Sequence, residues 1–162
     1  MDKVKDLKTK VLKAQQESDI ASLYVLEQKA HEVFDEDTIA GFYASILDLA
    51  LEKLTDTLES HRKMDMSEVQ DFATVRALYE YAMEHYSAGE PKDASALFEV
   101  LSGLTNDKNF AKALKFHWIA SAAKMSLDDF MSKIADIDMT QTKGTFYISA
   151  FTKEAQNVLD NV

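Results

Sequence analysis

Asp136-Ile137-Asp138-Met139-Thr140 is the string in this chain that most invites a chemical reading. Phosphatases use a D-x-D-x-T spacing with the first Asp as a nucleophile, held at the end of a strand in a doubly wound sheet. That chemistry needs strands alternating with helices, a pattern absent here, so a polar turn after a helix is the better account. The same acids fail as a calcium loop, because Gln141 stands where the turn glycine belongs and Tyr147 where the bidentate Glu belongs. His31, His61, His85 and His117 lie far apart, and none pairs at the H-x3-H or E-x-x-H spacing that sets two ligands on one helix face. With no cysteine, thiolate catalysis and Cys-ligated zinc are both excluded. No nucleophile elbow, phosphate-binding loop or dinucleotide fingerprint is present. The expectation is therefore a non-enzymatic chain without a metal or cofactor.

The elements that must position any other site are helices. Four Gly and one Pro are too few for the tight turns of a β-rich protein. Val4, Leu7, Val11 and Leu12 recur at helical spacing between lysines, and Ile20 to Phe34 carries a second stripe. Asp35-Glu36-Asp37 closes that stripe and supplies negative charge to the start of a long helix from Thr38 to about His61. Ser67 with Gln70 has the form of a capping box opening a fourth helix through Tyr86. Ala88-Gly89-Glu90-Pro91 is the clearest turn, with Gly89 suited to a left-handed C-cap and Pro91 to a helix first turn. Further helices follow through Phe98, through Phe110 to Ser121, and from Ser126 to Ile134. Residues 145–151 are rich in aromatic and β-branched types and could form a strand. A lone strand has no ladder partner, which favours a helix from at least Ser149 to Asp160. The expected architecture is an all-α antiparallel bundle of about seven helices in a single domain, residues 1–162, with 1–63 and 67–162 as sub-units.

The charge is uneven. Residues 1–14 carry +3, residues 15–60 carry −9 and the remainder −4, which sums to the net −10. An acidic chain of this kind does not suit a nucleic-acid backbone. No stretch is apolar for long enough to span a membrane, and the charged segment Met1 to Lys13 has no secretory h-region. Absent cysteines suit a reducing cytoplasm.

One segment carries a more specific pattern. Leu78, Tyr81, Ala82, Gly89, Ala94, Phe98 and Asn106 fall where a tetratricopeptide repeat places its large, small, turn and aromatic residues. Small Ala82 and Ala94 let two antiparallel helices approach, while Leu78 and Phe98 fill the space beside the crossing. Residues 78–106 resemble the first repeat of the translocator chaperones of type III secretion, with His85 at the usual tyrosine position and Asn106 in place of the proline. The resemblance implies a cytoplasmic chaperone or adaptor that binds an amphipathic or extended segment of a protein partner, such as an export substrate. Tyr79, Tyr86, Phe110, His117 and Trp118 are the expected groove-lining residues. The competing expectation is a structural subunit or homodimer, with Val4, Leu7 and Val11 of the first helix exposed as a dimer arm.

Overall fold

The structure is a computed structural model that describes the backbone of residues 2–160 and the side chains of residues 3–157. It is all-α: among the described residues there is no strand, only isolated bridge positions between the helices. The chain divides into two compact units, Met1–Ala77 and Leu78–Val162. The division falls inside a helix, Val69–Ser87.

The first unit holds α1 (Asp2–Gln16), α2 (Ile20–Val33), α3 (Glu36–Glu59) and the first part of α4 (Val69–Ser87). Leu7, Val11 and Ala14, spaced four and three residues apart on one face of α1, are buried. The expected exposure of Leu7 and Val11 is thereby corrected: both belong to the interior, and Leu12 of the same helix is exposed instead. Asp35 caps α3 by accepting the Thr38 N–H at 2.8 Å, as the acidic run implied. Asp19 caps α2 in the same way, and the hydrogen bonds from Ser22 and Gln70 hold its carboxyl below the usual range.

Gln70 accounts for a second departure. Its amide accepts the Ala21 N–H at 3.2 Å and donates to Asp19 at 2.6 Å, so it ties α4 to the start of α2 and does not close a capping box with Ser67. The Glu68 carboxylate takes over the orphan donors of α4, accepting from the Gln70 and Asp71 N–H groups. Polar links elsewhere in this unit follow the same logic. Arg76 lies 3.4 Å from Glu27 and over the Tyr24 ring at 3.9 Å, and Tyr43 donates to Glu27.

The second unit holds the rest of α4, α5 (Pro91–Leu104), α6 (Lys108–Ala122), α7 (Leu127–Asp129), α8 (Ile137–Lys143) and α9 (Lys153–Asp160). In α4 and α5, Leu78, Ala82, Ala94 and Phe98 are fully buried, and Pro91 opens α5. Ser126 caps α7, which runs into a wide π-helical turn, Phe130–Ile134. Asp136 then caps α8 through the Met139 N–H at 3.0 Å. The D-x-D-x-T string is thus a helix start, one element more than the periodicity had suggested.

Four helix ends close alike, with a residue at positive φ followed by a hydrogen bond reaching five residues back. The left-handed residues are Ser18, His61, Gly89 and Lys124. The bonds are Asp19 to Ala14, Arg62 to Thr57, Glu90 to His85 and Met125 to Ala120, at 2.8 to 3.2 Å. Only Gly89 enters this conformation without a steric cost, since a Cβ strains the left-handed region by roughly 1 kcal/mol. Lys124→Gly should therefore stabilise the chain by about 1 kcal/mol and Gly89→Ala destabilise it by about as much. Urea unfolding of the two variants checks this, and shifts of the same sign would contradict it.

Candidate binding cleft

Tyr79, Tyr86, Phe110 and His117 do not line a groove. Each is at most 3% exposed, and together with Phe98 and Phe130 they form the aromatic interior of the second unit. The His117 ring lies 5.3 Å from that of Tyr79, 5.0 Å from Phe98 and 4.9 Å from Phe130. The expectation failed because an apolar stripe at helical spacing reads the same whether neighbours or solvent cover it. Trp118 is half-buried on α6, about 200° around the helix from Phe116.

The burial of His117 is chemically complete. Its Nδ1–H donates to the Ala113 carbonyl at 2.7 Å, so Nε2 is the free lone pair, and it accepts the Tyr79 hydroxyl at 2.6 Å. The Tyr79 oxygen in turn accepts the Ile148 N–H at 3.1 Å. Burial pushes the Tyr79 hydroxyl well above its ordinary range, keeping it a donor, and holds the imidazole down to about 4. Tyr86, likewise pushed up by burial to about 12, donates to the Met125 carbonyl at 2.7 Å.

That chain of bonds reaches a segment whose assignment was open. Residues 145–152 form neither a helix nor a strand, and α9 begins at Lys153, later than expected. The backbone is satisfied chiefly by side-chain hydroxyls. Thr140 Oγ1 accepts the Ser149 and Ala150 N–H groups at 3.3 and 3.1 Å, beside the Tyr79–Ile148 bond. One short stretch of backbone completes the set: Asp136 N–H donates to Ala150, Thr152 N–H donates to Ile134, and Ala135 pairs with Phe151 as a single antiparallel bridge. The absence of a sheet partner thus does not exclude an extended segment, because hydroxyl groups supply what a ladder would.

The segment alternates as a strand does. Ile148 and Ala150 are buried, while Thr145, Tyr147, Ser149 and Phe151, with Ala150 at the cleft floor, line a cleft of about 670 Å³. The opposite lining comes from one face of α6, through Asn109, Lys112, Ala113 and Phe116, and from Asp136, Met139 and Lys143 of α8 and its cap. Gln156 of α9 completes it. Phe116 stacks on Phe151 at 4.0 Å with the rings 21° apart, and Tyr147 lies 4.5 Å from Phe110, so the aromatic lining is rooted in the interior. The volume falls in the range of preformed ligand sites. Two features of the sequence point to this face: the period-two run from Thr145 to Phe151, and a helix α6 with Lys108, Lys112 and Lys115 but no acid.

The turn at Gly89 gathers a further group that linear spacing hides. Ligand-capable atoms of His85, Glu90 and Asp93 lie within 4.8 Å of one another, with His85 Nδ1 3.4 Å from Glu90. Glu90 and Asp93 are exposed at the start of α5, where the helix dipole favours acids, and His85 ends α4, where it favours a cation. The cluster has this account without an ion. Comparison with protein-family models, with curated proteins and with solved structures finds no match to this chain.

The buried imidazole makes the second unit acid-sensitive. Between pH 6.5 and about 4 the unfolded chain takes up a proton that folded His117 refuses. Its contribution is therefore complete above about pH 6.5 and falls by about 3 kcal/mol as pH drops to about 4. His117→Gln should be less stable than the parent at pH 7 yet show a flatter decline across this window in urea titrations. Parallel declines would contradict the assignment.

Proposed function

We propose that this chain is a non-enzymatic adaptor or chaperone that holds a segment of another protein in the cleft of its second unit. The observation that carries the reading is the composition of the cleft. Three aromatic rings and a methionine offer apolar contact, and neutral amides and hydroxyls stand between them. Asp136 is the single carboxylate in the lining, and one of its oxygens is committed to the Met139 N–H. No histidine is among the lining residues; Asp136, Lys112, Lys143 and Tyr147 are its titratable groups. Among the described residues no helix is long and apolar enough to cross a membrane. A cytoplasmic setting is part of the proposal, supported by the absence of cysteine. Its narrower form, a chaperone for an export substrate, is supported by the hairpin residues Leu78 to Leu101 alone.

The chain has no cysteine, so Met139→Cys places a single thiol on the cleft rim. Peptides selected by display against the parent protein should bind it and be lost when that thiol carries a bulky maleimide adduct. Selection of no peptide, or equal binding to the blocked protein, would overturn the reading.

A further inference from the structure

We infer that the cleft selects an acidic partner segment, in which Asp or Glu residues flank an apolar or aromatic side chain; this rests on the peptide-holding reading above. The chain carries net charge −10, yet the cleft draws one lysine from each of two helices, Lys112 of α6 and Lys143 of α8; Asp136 is the one carboxylate in its lining, and Asp107 lies near enough to act on the Tyr147 hydroxyl. Among the described residues neither lysine makes an ion pair or a side-chain hydrogen bond. Lys143 has a local reason to stand where it does, at the negative end of α8. Lys112 has none. It lies in the second turn of α6, away from the C-terminal end that favours cations, on a helix that carries three lysines and no acid.

The remaining lining suits the same partner. Asn109 and Gln156 present amide donors, while Thr145 and Ser149 are hydrogen-bonded to each other at 2.8 Å. Phe116, Tyr147 and Phe151 supply an apolar wall for one large side chain. A nucleic acid would need many phosphate contacts, and two lysines on a strongly acidic chain do not provide them. An acidic peptide needs only a pair of charges beside an apolar anchor.

The test uses the full chain and three fluorescent peptides sharing a central Phe and Leu, flanked by Glu, by Gln or by Lys. Anisotropy titrations at about 50 mM and about 300 mM NaCl read the charge dependence. The Glu peptide should bind about tenfold more tightly than the Gln peptide at low salt, with most of that margin lost at high salt. Lys112→Glu with Lys143→Glu should abolish the margin and bring up binding of the Lys peptide. Lys92→Glu, exposed on α5 outside the cleft, should change neither. Equal binding of the Glu and Gln peptides overturns the acidic preference and leaves peptide holding in place. Binding of none of the three, or binding unchanged by the Met139→Cys adduct, overturns peptide holding itself. A margin that Lys92→Glu reduces as much as the cleft pair does would show a diffuse charge effect and overturn the assignment to Lys112 and Lys143.

Discussion

The second unit depends on how residues 145–152 satisfy their backbone. An extended segment without a neighbouring strand leaves N–H groups that cannot be buried unpaired at less than a few kcal/mol each. Here Thr140 and Tyr79 accept three of them through side-chain oxygens. Tyr79 can do this because His117 takes its hydroxyl proton, and His117 can do so because Ala113 fixes the tautomer. The sequence of bonds is directional from amide to imidazole to carbonyl, and each member fixes the next. No buried side-chain nitrogen or oxygen among the described residues is left without a partner.

The consequence for function is architectural. A helix in the same place would present its side chains every three to four residues and pack against α6 along its length. An extended segment instead turns alternate side chains inward and outward. Ile148 and Ala150 complete the interior while Tyr147 and Phe151 face the cleft. The wide π-helical turn at Phe130–Ile134 contributes by releasing Ala135 into an extended conformation, where it meets Phe151. The cleft is thus a product of irregular backbone held rigidly, the kind of place where binding surfaces form on a helical scaffold.

Much of this was legible in the sequence, and the failures have physical causes. The apolar stripes located α1 to α6, Asp35 and Ser126 announced helix starts, and Gly89-Glu90-Pro91 marked the α4–α5 turn, because each of these is decided by local chemistry. Gln70 misled because its side chain found a better use across the first unit than at its own helix end. Tyr79 and His117 misled because pattern gives the face of a helix but not what covers it. For Ser149 to Phe151 the expectation of helix rests on the premise that a strand needs a ladder partner, and Thr140 shows where that premise fails. The cleft could have been suspected from the acid-free lysines of α6 read together with the alternation from Thr145 to Phe151.

Native-state amide exchange across residues 145–152 is the most direct test of this account. If Tyr79 and Thr140 hold the segment as described, the Ile148 and Ala150 amides should exchange as slowly as interior amides of α6, despite lying in neither a helix nor a strand, and Tyr79→Phe should release Ile148 first. Exchange of both amides at the rate of an unprotected chain in the parent protein would contradict it.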